Sequence, residues 1–357
     1  LDAYLKKDPY ARVACESLVA TEFIVLAGEI TAAKGVTVDH EKVARQAVHS
    51  IGYDSAATGI GWKSAEFVSR IVPQSADIAK GVTKGRKTAK KVGAGDQGLM
   101  FGYAEANEDH PRPDYMPVPI SLAHRLTQRL AELRRGKKLR YLRPDGKSQV
   151  SVRFEDGHPV AVDAVVIAAQ HTPEMSDDQA TLHADLKEHC IEPVIPAEWL
   201  HKGTKYFLNH TGKFETGGPA SDAGLTGRKI IVDSYGGWIP HGGGAFSGKD
   251  PTKVDRSGAY YARYAAKNLV ADGVAERLQI QVAYSIGAPE PVAIGVETFG
   301  TGSLPDTAIE RRLRQEFDFS PGAIIEELGL RKPIYTPVTS YGHFGRTDLD
   351  LPWERLR

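Results

Sequence analysis

The chain has 357 residues, and its 45 Lys and Arg side chains balance 45 Asp and Glu. No global field therefore draws it to nucleic acid or to an anionic membrane, and any anion site must be local. With 41% hydrophobic and 25% charged residues the composition is globular rather than disordered or fibrous, and two or three domains of about 100 to 150 residues are expected. No apolar run is long enough to span a bilayer, and residues 1–7 lack a signal-peptide core, so the cytoplasm is the expected compartment.

Taken in chain order, residues 2–6 read as the last turn of a helix, stopped by Asp8-Pro9. A segment is accordingly expected to precede Leu1. Strands follow at 12–18 and 23–30, then Asp39 as the N-cap of a helix carrying Val43, Ala47, Val48 and Ile51 on one face. Residues 78–91 hold Lys80, Lys84, Arg86, Lys87, Lys90 and Lys91 with few apolar residues, the pattern of a loop. A helix is expected at about 120–135, and residues 143–148 (Arg-Pro-Asp-Gly-Lys-Ser) suit a type I turn that leaves Lys147 at a strand rim. Strands at 148–154 and 160–168 flank Glu155-Asp156-Gly157-His158, followed by a helix at about 177–190. Adjacent Arg228 and Lys229 lead into an apparent buried strand at 230–232. The last third reads as a helix at 256–271, strands at 278–284 and 292–298, and a helix at 306–317.

Three strand pairs, each followed by a helix, imply an α+β chain of three similar domains, each a sheet with helices on one face. The boundaries read are 1–90, with a loop at 74–91, then 92–217 and 218–357. Cys15 and Cys190 sit in apolar elements without disulfide or zinc spacing, and both are expected to pack as small hydrophobes.

Two glycine-rich stretches stand out. Gly93-Ala94-Gly95-Asp96-Gln97-Gly98 lacks the spacing of a dinucleotide-binding turn; it suits a tight turn, and Asp96 there could present a carboxylate to an amine. Residues 236–257 include Gly242-Gly243-Gly244-Ala245-Phe246-Ser247-Gly248-Lys249-Asp250 and then Lys253 and Asp255. They do not fit a Walker A loop, but exposed backbone N–H groups, Lys249, Lys253 and a following helix N-terminus form an anion site, where Asp255 suits a divalent cation. A glycine-rich hairpin with solvated lysines is the alternative on spacing alone. The 12 His residues show no paired metal-ligand spacing, no Gly-x-Ser-x-Gly elbow exists, and His241 and His343 read as structural or substrate-lining.

Together these two stretches resemble the signature sequences of the S-adenosylmethionine synthetase family, of the bacterial type. Further matches are Ala14-Cys15-Glu16, Gly28-Glu29-Ile30, Gln74-Ser75, residues 143–150, residues 224–229 and Tyr341-Gly342-His343-Phe344-Gly345-Arg346. The resemblance implies three α+β domains about a pseudo-threefold axis, and a homodimer with interfacial active sites whose dimers pair into a homotetramer. It implies in-line attack of the methionine sulfur on the ATP 5′ carbon, then hydrolysis of the triphosphate to phosphate and diphosphate, assisted by two Mg²⁺ and one K⁺. Lys147, Arg228, Lys229 and Lys249 would hold the triphosphate, while Asp145, Gly146, Lys213, Phe214, Asp222 and Ala245 would complete the ATP site, Phe214 stacking on adenine. Glu29, Gln74, Asp222 and Lys253 would recognise methionine, with Asp96 reaching its amine from a neighbouring subunit. Asp255 would be the Mg²⁺ ligand and Glu16 the K⁺ ligand, and the loop after Gln74 would gate the site. The family's His-Pro-Asp-Lys segment would precede Leu1, and the basic loop 83–91 is unlike the acidic-to-neutral loops of bacterial relatives. Other readings are an ATP-dependent phosphotransferase and a non-catalytic nucleotide-binding partner.

Overall fold

In a computed structural model, the described residues are 1–74, 92–106 and 114–357. The expected basic loop and gate at 75–91 lie outside them.

Helix α1 (Asp2–Leu5) leads into the hairpin of β1 (Arg12–Ala20) and β2 (Phe23–Thr31), which pair antiparallel from Arg12 opposite Thr31 to Ala20 opposite Phe23. Helix α2 (His40–Ile51) starts where Asp39 expects it to: the Asp39 carboxylate accepts from the Lys42 N–H at 2.9 Å, and left-handed Gly52 closes the other end. Strand β3 (Glu66–Val72) then adds parallel to β2, and β4 (Gly98–Glu105) and the long helix α3 (Val118–Arg135) follow. Strands β5 (Leu142–Glu155) and β6 (His158–His171) make a long hairpin. Its turn residues Asp156 and Gly157 both have positive φ, the two-residue geometry that matches strand twist. Asp178 caps α4 (Gln179–Asp185), which continues as a wider π turn through Ile191.

The remaining elements are β7 (Lys205–Leu208), β8 (Gly224–Leu225), α5 (Ile230–Asp233), α6 (Val254–Ala271), β9 (Arg277–Tyr284), β10 (Ala293–Glu297), α7 (Asp306–Glu316) and α8 (Pro321–Glu327). Among the described residues three sheets result, ordered β3-β2-β1-β8, β10-β9-β4 and β5-β6-β7, so the α+β class with three sheets and helices stands. Among the described residues no helix is long and apolar enough to cross a membrane.

Two local expectations are corrected. Residues 230–232 are helical, with Ile231 and Val232 exposed, because the Asp233 N–H turns back to the Lys229 carbonyl at 2.9 Å. Residues 143–148 are not a free turn but part of β5, whose register against β6 shifts between Leu142 and Gly146. Cys190 is buried as expected, whereas Cys15 is only half-buried.

Sheet edges decide the larger arrangement. The expected hairpins leave open edges, and strands from distant sequence close them: β4 pairs with β9, and β8 pairs with β1. Helix α6 lies across β4 and β9 and is buried on every face from Arg256 to Val270. Its charged residues survive there because they are paired: Arg263 and Lys267 reach the buried Glu354 carboxylate at 3.0 and 2.8 Å. Close contact of α6 with β4 depends on Gly102, where a Cβ would fall 2.1 Å from the Ala262 carbonyl carbon. Gly102→Ala is expected to lower unfolding stability by about 1–3 kcal/mol through overpacking; an unchanged urea midpoint would show that this contact can relax.

Candidate active site

The second glycine stretch runs beside β1 and is stitched to it. The Cys15 N–H donates to the Gly248 carbonyl at 2.9 Å, Ala14 pairs with Lys249, and the Asp250 N–H donates to the Val13 carbonyl at 2.9 Å. Glycine is required by the closeness: a Cβ on Gly248 would lie 2.0 Å from the Cys15 carbonyl oxygen, and one on Gly242 would lie 1.6 Å from that of Leu99. The first glycine stretch arrives from the other side, where the Gly95 N–H donates to the Thr252 carbonyl at 3.0 Å. Both motifs therefore meet at the N-terminus of α6, a place where orphan N–H groups and the helix dipole favour anions.

Two lysine–aspartate pairs set the charge there. Lys249 Nζ donates to Asp255 Oδ2 at 2.6 Å, with both side chains mostly buried. Asp255 sits in a small pocket with His241, Gly242, Gly244 and Leu99, and a Cβ on Gly244 would lie 2.2 Å from its carboxylate. Lys253 Nζ donates to Asp250 Oδ2 at 2.5 Å. Asp250 is fully buried and also accepts from the Val13 N–H at 2.7 Å, the Thr252 N–H at 2.9 Å and the Thr252 hydroxyl at 2.6 Å. Burial pushes the Asp250 carboxyl up, but Lys253 and Arg12 outweigh it and hold the group below the ordinary carboxylate value. Asp250 carried no assigned role in the sequence, although its place in Gly-Lys-Asp ahead of a helix was a legible signal.

Other expected residues fall around this centre. Glu29 lies opposite Ala14, which itself pairs with Lys249, so these three residues share one row of the β1–β2 surface; Glu16, two residues from Ala14, faces the same way. Glu16 and Glu29 are exposed. Gln74 follows β3, its N–H donating to Thr31 Oγ1 at 3.0 Å, and Asp96 is exposed at the tip of the first glycine turn. Arg228 and Lys229 are exposed just before α5, not at a strand mouth. They approach the glycine stretch through Gly227, where a Cβ would come within 3.1 Å of Ala245 Cβ.

A second group gathers at the start of the β5–β6 hairpin. Asp145 Oδ2 accepts from the Gly218 N–H at 2.9 Å, and the Gly218 carbonyl accepts from the exposed Asp222 at 3.2 Å. Phe214 is half-buried and held at both backbone ends by His171: its N–H donates to His171 Nε2 at 2.9 Å and its carbonyl accepts from the His171 N–H at 3.0 Å. Gly146 continues the strand from Asp145, Lys147 projects exposed from it, and Lys213 is exposed beside Glu215 at 3.6 Å. Tyr53 packs against Gly59 and Gly218 under this turn, and burial, then the Asp145 charge, push its hydroxyl up to about 12.

The third feature is a buried polar line behind the glycine loop. The Arg256 guanidinium donates to the Lys249 carbonyl at 2.9 Å and to the Tyr260 hydroxyl at 2.7 Å, and that hydroxyl lies 2.6 Å from His343 Nδ1. His343 is thus structural, as one of its two sequence readings has it, and its role emerges only in three dimensions. Burial alone pushes Asp233, 4.0 Å from His343 Nε2, up to about 6 against the pull of Arg256.

Three family models match the chain end to end: S-adenosylmethionine synthetase, N-terminal domain, over residues 1–76; central domain, over 91–214; and C-terminal domain, over 216–355. Among curated relatives, an S-adenosylmethionine synthase of Clostridium botulinum (strain Alaska E43 / Type E3) is 53% identical over all of this chain and 91% of its own length. Another, of Clostridium tetani (strain Massachusetts / E88), is 51% identical with the same coverage. With both signature glycine stretches meeting at one helix end and all three family models matched in order, the chain belongs to the S-adenosylmethionine synthetase family.

Proposed function

We propose that the chain is a methionine adenosyltransferase, converting ATP, L-methionine and water to S-adenosyl-L-methionine, phosphate and diphosphate. The observation that carries this reading is the convergence of both glycine stretches on the Lys249–Asp255 pair at the α6 N-terminus, with Arg228 and Lys229 alongside. That arrangement suits a bound polyanion, and its lysines are held before any ligand arrives.

In the reaction the methionine sulfur forms a bond to C5′ while the C5′–oxygen bond breaks and its electron pair leaves on the triphosphate. A thioether carries no proton to remove, so no general base is required. The barrier lies in positioning a weak nucleophile and in stabilising the leaving charge. Lys249, Arg228, Lys229 and Lys147 hold the triphosphate. Asp145, Gly146, Lys213, Phe214, Asp222 and Ala245 bind the nucleoside end, Phe214 through its ring face. Glu29, Gln74, Asp222 and Lys253 orient methionine, and Asp96 of a neighbouring copy meets its amine. Water then splits the retained triphosphate.

Asp255 fits a Mg²⁺ ligand: its carboxylate lies in a glycine-walled cradle, and Mg²⁺ is commonly held by one or two carboxylates plus substrate phosphates. Among the described residues no group of three acidic, His or Cys side chains is placed to hold a metal. Mg²⁺ bound there supplies charge neutralisation at phosphate oxygens. Glu16 offers K⁺ one exposed carboxylate, so the rest of that shell would come from backbone oxygens or a second copy. Two Mg²⁺ and one K⁺ per site are proposed.

A homodimer with shared active sites is supported by the β1–β2–β3 surface that carries Glu16 and Glu29. Among the described residues its Leu18, Val25, Val68 and Val72 belong to no hydrophobic cluster, as expected of a surface covered by a second copy. Pairing of dimers into tetramers, a cytoplasmic location and domains at 1–90, 92–217 and 218–357 complete the proposal.

Product analysis tests it: with ATP, methionine, Mg²⁺ and K⁺, S-adenosylmethionine, phosphate and diphosphate should appear in equal amounts. ADP alone would replace this reading with a phosphotransferase, and binding without products would indicate a non-catalytic partner.

A further inference from the structure

We propose that Tyr260 and His343 are positioning residues for the triphosphate-binding cations, a buried chain of hydrogen bonds through them setting the spacing between Lys249 and the Arg228–Lys229 pair. The inference rests on the methionine adenosyltransferase reading and extends it to residues that touch no substrate.

The chain can be followed atom by atom. Arg256 Nε donates to the Lys249 carbonyl at 2.9 Å, and its Nη1 donates to the Tyr260 hydroxyl at 2.7 Å. A guanidinium has no acceptor, so the Tyr260 oxygen is the acceptor there and its own proton is free for His343 Nδ1, 2.6 Å away. That places the imidazole proton on Nε2, which has no hydrogen-bond partner among the described residues and faces Asp233 Oδ1 at 4.0 Å. The His343 N–H also donates to the Asp233 carbonyl at 2.9 Å. Asp233 is the last residue of α5, and its N–H holds the Lys229 carbonyl at 2.9 Å. One continuous path therefore joins the backbone of Lys249 to the backbone of Lys229.

The Arg256–Tyr260–His343 part of the path is closed to water, whereas Asp233 is half-buried and Lys229 exposed. Tyr260, His343 and Arg256 are 0, 1 and 2% exposed. Phe246 packs edge-on against Tyr260 and His343, Trp353 lies 4.1 Å from the Tyr260 ring, and the Trp353 indole N–H holds the His343 carbonyl at 2.9 Å. Burial keeps His343 neutral, which its acceptor role at Nδ1 requires. A purely apolar residue at either position would fill the same space. What the polar atoms add is direction, a fixed distance between two segments that bear the cations on a leaving polyanion. For an in-line displacement a misplacement on the order of 1 Å is costly in rate, up to about a hundredfold.

The test compares Tyr260→Phe, His343→Leu and His343→Asn with the wild-type full chain. Tyr260→Phe removes one oxygen from an otherwise unchanged ring cluster, and His343→Asn retains an acceptor near the Nδ1 position. Expected are a roughly tenfold fall in kcat and a similar loss of inorganic tripolyphosphate affinity, by calorimetry, for Tyr260→Phe and His343→Leu. The KM for methionine should stay within about twofold, His343→Asn should recover most of both losses, and Tyr260→Phe/His343→Leu together should cost no more than either alone. Unchanged kcat and tripolyphosphate affinity with a lowered Tm would make the chain a packing feature and overturn the proposal, as would His343→Asn behaving like His343→Leu. Wild-type protein that binds tripolyphosphate but forms no S-adenosylmethionine would instead remove the functional reading, while the binding comparison would still decide on the chain.

Discussion

Lys249→Ala is expected to lower kcat/KM for S-adenosylmethionine formation by about 10²–10³-fold, the cost of deleting one preorganised charge where a leaving group turns negative. The size follows from how the lysine is held. Its Nζ is fixed on Asp255 at 2.6 Å, and its backbone is tied to β1 through Ala14 and to Arg256 through its carbonyl. Such a cation needs little reorganisation when the C5′–oxygen bond breaks. Removing it also leaves the Asp255 carboxylate without its ammonium partner, so the variant should tolerate Mg²⁺ at that carboxylate while still failing to stabilise the leaving triphosphate. Arginine is a poor replacement, because a planar fork cannot occupy the position of a point charge in this glycine-walled space. Steady-state rates with circular dichroism as a check on folding decide the matter. Activity within about threefold of wild type would take Lys249 out of the machinery.

The largest expected stability effect lies one residue further on. Asp250→Ala should cost about 3–5 kcal/mol, the range for removing one partner of a buried ion pair. Its carboxylate serves Lys253, Thr252 and the Val13 N–H while fully buried, so alanine leaves a mostly buried ammonium and two backbone donors without acceptors. The sign of its pH dependence is also set. Because the folded-state carboxyl is held below its ordinary value, its contribution is present above the unfolded value near pH 4 and is lost as pH falls through the lower folded value. Guanidinium unfolding at pH 7 should therefore separate the two proteins widely, and the gap should shrink in acid. A gap that is small at pH 7, or that grows as pH falls, would show that Asp250 is not the anchor of this loop.

Much of the fold could be read locally. Asp39 announces α2 because a carboxylate at that place satisfies an orphan N–H three residues on, and Asp156-Gly157 announces the β5–β6 hairpin because both residues tolerate positive φ. The 230–232 segment misled because three apolar β-branched residues in a row fit a buried strand by pattern. The turn formed by Lys229 and Asp233 instead keeps two of them at the surface, beside the site. The break in register at 142–146 was hidden for a related reason: Arg143-Pro144-Asp145-Gly146 carries turn chemistry whether it makes a turn or an irregular strand entry.

Apart from residues 230–232 and 143–148, element types, helix caps and the chemistry of the two glycine motifs were determined by the sequence itself, since each depends on neighbours within a few residues. The tertiary structure decided which of these pieces meet. Asp250 ties its local partners Thr252 and Lys253 to β1 because Val13, 237 residues away, offers it an N–H at 2.7 Å. Likewise β4 joins β9, and His343 lies against Tyr260 across 83 residues. Contacts of that range are chosen by which sheet edges remain open and which buried polar groups still need partners, and both are known only once the whole chain is packed.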